Sequence, residues 1–265
     1  MDVLTERSAR VVSLAKLHRA PVRRAENLFL AEGANAVDAA LTSGRAQRLL
    51  VADDDASRHT GLLDRAAKAG LPVHRLTARA AGKLADTTTA PGIFAVCELL
   101  ALALDDVDLA AAGFVVVAVE PRDPGNAGTL IRCADAMGAA AVILLGDAVD
   151  PHNGKCVRAS AGSIFHVPVV ADRDTGAALT RLREAGLIVL ATTMDGELPL
   201  PAAGEVLAAR HAWLFGNEAH GLPAGIAAAA DHRVSIPIRG RAESLNVAAA
   251  SAICLYAAAE AQHTP

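Results

Sequence analysis

Three groups of polar residues, each directly after an apolar segment, are the parts of this sequence whose residue types could carry out chemistry. The first contains Asn126 and Arg132 and follows the apolar run Phe114–Glu120. This run is continuous rather than alternating, which predicts a strand buried on both faces of a parallel sheet. Prolines and a glycine then reverse the chain, and Asn126 is a suitable N-cap for a helix over residues 127–137. Polar residues at the carboxyl end of such a strand lie where open α/β sheets bind ligands.

The second group follows a predicted strand over His211–Phe215. Two glycines bracket a polar loop, and glycine permits positive φ or the close approach of a ligand to the backbone. Between them lies Glu218, which is either a functional carboxylate or a solvated loop charge. His220 is more typical of an exposed loop histidine than of an acid–base group.

The third group follows the alternating segment His232–Ile238, which predicts a strand that ends near Pro237 because proline cannot donate a ladder hydrogen bond. Ser244 is then a suitable N-cap for a long helix of small residues over Leu245–Ala261. Ser244 and Asn246 would lie in the first turn of that helix, where free backbone N–H groups can meet a ligand. An N-cap serine and an exposed asparagine on an ordinary helix is the alternative interpretation of this group alone.

Together the three groups resemble the three motifs of the SpoU/TrmH-type 2′-O-ribose RNA methyltransferases, in the SPOUT superfamily, in order, spacing and strand context. The motif-like segments are Asp123–Arg132, Phe215–Leu222 and Ile236–Val247. The similarity spans residues 114–260, and Lys155–Pro168 resembles the family's usual link between the motifs.

The resemblance implies an enzyme that transfers a methyl group from S-adenosylmethionine to a ribose 2′-hydroxyl of structured RNA, and the two-domain layout favours ribosomal RNA. The positions that match the family's catalytic and substrate-positioning set are Asn126, Arg132, Glu218, Ser244 and Asn246. The positions that match its cofactor side are Thr192, Thr193, Leu214, Gly216, Ile236 and Leu245. Because arginine stays protonated in proteins, we expect Arg132 to grip a phosphate and stabilise developing alkoxide charge rather than act as a base.

The same resemblance implies an α/β fold with two domains. Residues 1–104 would form a smaller N-terminal α/β domain, similar to a class of ribosomal proteins, that binds the RNA substrate. Residues 113–265 would form a methyltransferase domain with a parallel sheet and a trefoil knot, and the family implies a homodimer through this domain.

The pattern of apolar segments supports two α/β units by itself. Up to Leu100, predicted strands alternate with helices, beginning with a helix near Thr5–Leu17 that Pro21 should end. The acidic stretch Asp105–Asp108 interrupts this pattern and marks the expected domain boundary.

RNA would have to be bound by local basic patches, because the chain has a formal net charge of −4. The candidates are Arg23 and Arg24, in the basic first thirty residues, and Lys155 and Arg158, between the motifs. An ordinary solvated helix face is an equally good interpretation of the first pair.

Several classes of protein are disfavoured. Four widely spaced cysteines without C-x-x-C or histidine-rich spacing argue against disulfides and zinc, so we expect no metal. No apolar run approaches a membrane span, and the charged N-terminus lacks the apolar region of a signal peptide, so we expect a cytoplasmic protein without a membrane partner. An oxidoreductase is disfavoured because the G-x-G-x-x-G fingerprint is absent. A transfer-RNA methyltransferase and a catalytically silent RNA-binding assembly factor on the same fold stay open as alternatives.

Overall fold

The structure, a computed structural model, describes residues 3–87 and 89–263 and divides into two compact units. The first unit contains the chain up to Leu100 and the segment Asp150–His166. The second contains Ala101–Val149 and the chain from Val167 onward. The segment Asp150–His166 lies inside the range expected for the C-terminal domain, yet its contacts place it in the first unit.

Strands and helices alternate along the described chain. The strands are β1 Leu28–Glu32, β2 Ala46–Ala52, β3 Val73–Leu76, β4 Ile93–Glu98, β5 Phe114–Val119, β6 Val142–Leu145, β7 Val169–Asp172, β8 Ile188–Thr192, β9 Leu198–Pro199, β10 His211–Phe215 and β11 His232–Ser235. The α-helices are α1 Ala9–Ala15, α2 Ala20–Glu26, α3 Ala34–Thr42, α4 Thr60–Lys68, α5 Ala78–Leu84, α6 Pro124–Ala136, α7 Gly154–Ala159, α8 Thr175–Glu184, α9 Gly204–Ala208, α10 Ala224–Ala229 and α11 Val247–His263. Short 3-10 helices lie at Lys16–His18, Asp53–His59, Leu104–Asp106, Ser163–Phe165 and Leu200–Ala202.

The first unit is built on a four-stranded mixed sheet in the order β1-β4-β2-β3. β4 is antiparallel to β1 and β2, whereas β2 and β3 are parallel. Val11 and Leu84, from α1 and α5, pack in one core with Leu50 of the sheet. The alternate residues Leu49 and Val51 point to the opposite face and are fully buried as well. Both faces of this sheet are therefore covered, as a three-layer α/β unit requires.

Pro21 does not end the first helix, as the sequence suggested, but begins the second. α1 ends at Ala15, and a 3-10 turn separates it from α2. Pro21 occupies the first turn of α2, where the N–H that proline lacks would have had no acceptor within the helix.

The second unit is built on a seven-stranded sheet in the order β7-β6-β5-β10-β8-β11-β9. Every neighbouring pair is parallel. All six residues of β5 are buried, which confirms the strand predicted from its continuous apolar run. Trp213 on β10 is fully buried in the core. Because the central strands are parallel, the loops that follow β5, β10, β8 and β11 leave the sheet at one edge.

Asp123, rather than Asn126, caps α6. Its Oδ1 accepts the backbone N–H of Asn126 at 2.9 Å, and the helix begins at Pro124. The expected start was three residues later, because both side chains are good N-caps and the residue types alone do not separate them. The consequence is that the side chain of Asn126 is available for other contacts.

Asn246, rather than Ser244, caps α11. Its Oδ1 accepts the backbone N–H groups of Ala248 and Ala249 at 2.9 and 3.3 Å, and the helix begins at Val247. β11 ends at Ser235, so residues 236–246 form an extended connection without helix or strand.

No helix in the described part of the chain has both the length and the apolar character needed to cross a bilayer.

Candidate active site

The Glu218 carboxylate connects the loop after β10 to the loop after β5. Its Oε2 accepts the backbone N–H of Arg122 at 3.2 Å. Its Oε1 accepts the backbone N–H of Asp123 at 3.3 Å and the Nδ2 of Asn126 at 3.1 Å. Burial alone would raise the pKa of Glu218, but hydrogen bonds from its own backbone and from these three donors outweigh that effect and lower the pKa. The carboxylate of this exposed residue is therefore held ionised by hydrogen bonds that connect the two loops.

Asn126 continues this network to the N-terminus of α11. Its Oδ1 accepts the Nδ2 of Asn246 at 3.1 Å, and Asn246 in turn uses its own Oδ1 to cap the helix. An ionised carboxylate only accepts hydrogen bonds, so the amide nitrogen of Asn126 must face Glu218, which leaves its oxygen for Asn246. A chain of hydrogen bonds, Glu218–Asn126–Asn246, thus joins one residue from each of the three polar groups.

The loop after β10 is tight and depends on glycine. Backbone hydrogen bonds run in both directions between Asn217 and Gly221, at 3.0 and 2.8 Å. A Cβ on Gly216 would lie 2.2 Å from the backbone carbon of Gly221 and from the backbone nitrogen of Leu222, so no side chain fits there. The Nδ2 of Asn217 donates to the Glu120 carbonyl at 2.7 Å and ties this loop to the end of β5. Asn217 was not among the predicted site residues, and its position between two glycines is the sequence signal for its role.

Glu120, the residue after β5, has a positive φ of 50°. Only a few per cent of non-glycine residues adopt this region. Its side chain lies over Gly146, in the loop after β6, where a Cβ would come within 2.9 Å of the Glu120 Cγ. The sequence gives no sign of this conformation, because a glutamate is not a residue type that favours positive φ.

A cavity of about 470 Å³ opens between the loops after β5 and β10. This volume is within the range of about 300–1,000 Å³ that is typical of small-molecule sites. Its lining includes Glu120, Asn126, Asn217, Glu218 and His220. The hydrogen-bonded network therefore forms part of the wall of a ligand-sized cavity.

Arg132 and Ser244 lie outside the hydrogen-bonded network. Arg132 is exposed on α6, nearly two turns after Asn126, and among the described residues its guanidinium has no hydrogen-bond partner. Ser244 is exposed in the connection before α11, also without a hydrogen bond to the described chain. Of the five predicted catalytic positions, the structure joins Asn126, Glu218 and Asn246.

Five of the six predicted cofactor positions lie at the ends of three adjacent strands, β10, β8 and β11, and the sixth lies just before α11. They are Thr192 and Thr193 at the end of β8, Leu214 and Gly216 at the end of β10, Ile236 just after β11, and Leu245 before α11. The hydroxyls of both threonines are buried; that of Thr193 has no hydrogen-bond partner within the described residues, whereas that of Thr192 lies against the Cys254 thiol. A buried hydroxyl without a partner costs about 1–3 kcal/mol, so Thr193 is a candidate contact for a polar ligand.

The two arginines expected to contact RNA from the N-terminal region differ sharply in exposure. Arg23 is 2% exposed, and its Nη2 and Nε donate to Asp150 Oδ2 at 2.6 and 3.1 Å. Its Nη1 donates to the Leu17 carbonyl at 2.8 Å. Arg24 is exposed. Arg23 thus holds the segment Asp150–His166 in the first unit, and RNA could reach its guanidinium only if this ion pair broke.

The second basic pair lies on α7, in the first unit. Arg158 donates to Glu32 at 3.1 Å and to Asp86 at 3.4 Å. Glu32 is 6% exposed and also accepts the Thr87 hydroxyl at 2.9 Å. Lys155 is exposed. Arg158 therefore forms a partly buried ion-pair network, and Lys155 is the surface cation of the pair.

The fold and the site together define an α/β protein in which three polar segments are joined by hydrogen bonds at the carboxyl edge of a parallel sheet, the edge where open α/β sheets bind ligands. Matches between this sequence and the models of known protein families identify its family. The model of the SpoU rRNA methylase family matches residues 113–256, and the model of the MRM3-like substrate-binding domain matches residues 8–95. The chain belongs to the SpoU rRNA methylase family, which confirms the resemblance found in the motifs.

Individual relatives agree with this assignment over nearly the whole chain. A 23S rRNA (guanosine(2553)-2′-O)-methyltransferase from Bacillus subtilis is 34% identical over 256 residues, which cover 96% of this chain and 98% of the relative. A 23S rRNA (adenosine(1067)-2′-O)-methyltransferase from Streptomyces laurentii is 29% identical, over 97% of this chain and 94% of the relative. The crystal structure of an AdoMet-bound rRNA methyltransferase from Sinorhizobium meliloti superimposes with a TM-score of 0.85 at 29% identity, and 99% of each chain is covered. The predicted α/β fold with a parallel sheet and a two-unit arrangement is confirmed.

Proposed function

We propose that this chain is an S-adenosylmethionine-dependent enzyme that methylates a ribose 2′-hydroxyl of ribosomal RNA. The observation that carries the proposal is the chain of hydrogen bonds Glu218–Asn126–Asn246, which connects the three motif segments at one edge of the sheet. Membership in the SpoU family and the two relatives named as 23S rRNA 2′-O-methyltransferases support the same reaction and the same class of substrate.

The residues that end β8, β10 and β11 fit the cofactor. When bound, S-adenosylmethionine supplies a methyl group that its sulfonium already activates. Thr193 offers a buried hydroxyl that needs a polar partner, and the hydroxyl of Thr192 lies next to it in the sequence. Gly216 lacks a side chain that would block the backbone, and Ile236 and Leu245 would add apolar contacts. The AdoMet-bound relative supports this cofactor.

The substrate, unlike the cofactor, needs activation, because a ribose 2′-hydroxyl is a weak acid and a poor nucleophile. The enzyme has to align the oxygen with the methyl group and help the hydroxyl lose its proton. Arg132 remains protonated, so we assign it to binding a flanking phosphate and stabilising the developing alkoxide. Asn126 and Asn246 position the loops through their amide groups, and Glu218 holds the loop that carries the cofactor contact.

A homodimer is part of the proposal. Ile253 and Tyr256 lie one turn apart on α11 and are 42% and 56% exposed, which is unusual for large apolar side chains on a helix that otherwise packs against α6 and α9. A second copy would cover this face. It would also give the exposed Arg132 and Ser244 partners that a single chain does not supply. The trefoil knot and a cytoplasmic location belong to the same proposal and are supported by the family resemblance.

We also propose that residues 1–104 bind the RNA substrate. The match to a substrate-binding domain over residues 8–95 supports this role. The exposed Arg24 and Lys155 are the cations we assign to phosphate contacts, and Arg23 and Arg158 are assigned to the ion pairs that hold the unit together. Charge reversal of Arg24 and Lys155 should weaken RNA binding and flatten its dependence on salt, since each lost phosphate contact removes a released counterion.

The reaction can be tested with purified protein, methyl-labelled S-adenosylmethionine and an unmodified 23S rRNA transcript, with transfer RNA in a parallel reaction. We expect label in ribosomal RNA at one nucleotide that becomes resistant to alkaline cleavage, because methylation removes the attacking 2′-oxygen. Asn126→Asp is nearly isosteric but places a second carboxylate against Glu218, so it should abolish transfer while the protein still binds the cofactor. Label only in transfer RNA would refute the substrate class. Absence of cofactor binding by calorimetry would support a silent RNA-binding factor instead.

A further inference from the structure

We infer that the Glu120 carboxylate selects guanosine as the nucleotide to be methylated, by accepting hydrogen bonds from the base. This inference rests on the proposed function and goes beyond it, because ribose methylation as such requires no particular base. Family membership does not decide the base either, since one relative is named for guanosine and another for adenosine.

The cavity lined by Glu120 lies on the substrate side of the site. Asn126 and Glu218, two of the matched catalytic positions, form part of its wall. None of the six positions that match the cofactor side lines this cavity. A nucleotide whose ribose reaches Asn126 would therefore place its base within the same cavity as Glu120.

The backbone at Glu120 holds the carboxylate in an unfavourable conformation. Its φ of 50° lies in the left-handed region, which glycine occupies at much lower cost. The neighbouring Gly146 leaves the space into which the Glu120 side chain folds. Glycine would suit this backbone geometry better, so the presence of a glutamate here points to a task for its carboxylate.

The side chains of Asp123, Glu218 and Asn217 in the cavity wall already accept hydrogen bonds, and Asp123 Oδ1 accepts the backbone N–H of Asn126 at 2.9 Å. Glu218 accepts three hydrogen bonds from the loop after β5. The Asn217 Oδ1 accepts the backbone N–H of Ala219 at 2.8 Å. The Glu120 carboxylate, in contrast, has no hydrogen-bond donor among the described residues of this unit. Both of its oxygens can therefore accept hydrogen bonds from a ligand in this cavity.

Among the four RNA bases, guanine best matches the hydrogen-bonding groups of a carboxylate. An ionised carboxylate has two acceptor oxygens and no donor. Guanine is the base whose Watson–Crick edge presents two adjacent donors, N1–H and the N2 amino group, and single-stranded RNA bases are commonly recognised through this edge. Adenine and cytosine each place an acceptor beside their amino donor, and uracil has one N–H between two carbonyls. A bidentate pair of this kind discriminates against other bases by roughly 5- to 150-fold.

The test begins with the target nucleotide. The unmodified 23S rRNA transcript is methylated by the wild-type protein, and the site is mapped by resistance to alkaline cleavage. We expect guanosine. A short RNA that spans this site is then prepared with guanosine, inosine or adenosine at the target. Inosine lacks only the N2 amino group, so the wild-type kcat/KM should fall for inosine by about fivefold or more and further for adenosine.

Glu120→Gly is the decisive variant, because it removes the carboxylate and relieves the positive φ. We expect an unchanged or higher Tm, unchanged affinity for S-adenosylmethionine, and similar kcat/KM values for the guanosine and inosine RNAs. Glu120→Gln, which keeps the size but adds a donor, should also lose the preference. Asp147→Asn is the matched control: Asp147 follows Gly146 and pairs with Arg122 at 2.6 Å but does not line the cavity, so the preference should persist.

Three results would overturn the inference: a mapped target that is not guanosine, equal use of guanosine and inosine by the wild type, or a preference that survives in both Glu120 variants. Absence of methyl transfer to any RNA by the wild type would have a different meaning. It would refute the proposed function and, with it, this inference.

Discussion

Replacing Glu218 by glutamine tests whether this carboxylate holds the three motif segments together. The ionised side chain accepts hydrogen bonds from two backbone N–H groups and from the Asn126 amide, at 3.1 to 3.3 Å. Glutamine keeps one acceptor oxygen and brings an NH₂ group that must face another donor. At least one of the three donors therefore loses its acceptor.

The expected loss of stability in Glu218→Gln depends on the charge and the exposure of the side chain. A hydrogen bond to a charged group contributes about 1.5–3 kcal/mol, and solvent screening reduces this value at a partly exposed site. We expect Glu218→Gln to lower the free energy of unfolding of the second unit by about 1–2 kcal/mol, which corresponds to a fall in Tm of about 2–8 °C. Because Asn126 would lose its anchor, kcat should fall by roughly tenfold or more.

The difference in stability between the wild type and Glu218→Gln should also depend on pH. The pKa of Glu218 is lowered below its ordinary value of 4.5 in the folded chain. Its contribution to stability is therefore complete above pH 4.5 and is lost as the pH falls through the folded-state pKa. The difference in Tm between the wild type and Glu218→Gln should narrow below pH 4.5.

Differential scanning calorimetry at pH 7 and at pH 4, with methyl transfer measured at pH 7, would check these expectations. Glu184→Gln is a matched control, since Glu184 is exposed on α8 and the substitution removes the same charge away from the site. Equal Tm and equal kcat for the wild type and Glu218→Gln at pH 7 would refute the reasoning. A Tm difference that does not depend on pH would show that the carboxylate charge is not its cause.

Gly216→Ala should raise the Kd for S-adenosylmethionine by roughly tenfold or more and lower the free energy of unfolding by about 1–3 kcal/mol, because a Cβ would overlap the backbone of the loop. Calorimetry would measure both effects, with Gly225→Ala as the control because the space around Gly225 is open. Arg23→Ala and Asp150→Ala should each destabilise the first unit by about 3–5 kcal/mol, and the double variant should cost clearly less than the sum. Arg132→Lys should lower kcat by roughly tenfold or more and leave the cofactor Kd unchanged, since a lysine cannot bind a phosphate bidentately; near-wild-type turnover would contradict this role.

The local elements and the order of the motifs could be predicted from the sequence alone. Helix α3 begins at Ala34, directly after Gly33, and ends at Thr42, shortly before Gly44, so glycines in the sequence mark both ends of this helical segment. The continuous apolar run of β5 identified a buried parallel strand, which placed Asn126 at the carboxyl edge of the sheet. These inferences succeed because they depend on short-range patterns of propensity, periodicity and turn-forming residues.

Only the tertiary structure decided what each polar side chain does. Asp123 and Asn126 are both good N-caps, and the contact with Glu218, 92 residues away in sequence, is what engages the Asn126 amide. Arg23 belongs to a basic segment but is buried, because Asp150, 127 residues away, neutralises it. The positive φ of Glu120 likewise appears only once the loops after β5 and β10 meet. Residue type sets the hydrogen bonds that a side chain can make, whereas its partners are brought to it by segments that lie far away in the chain.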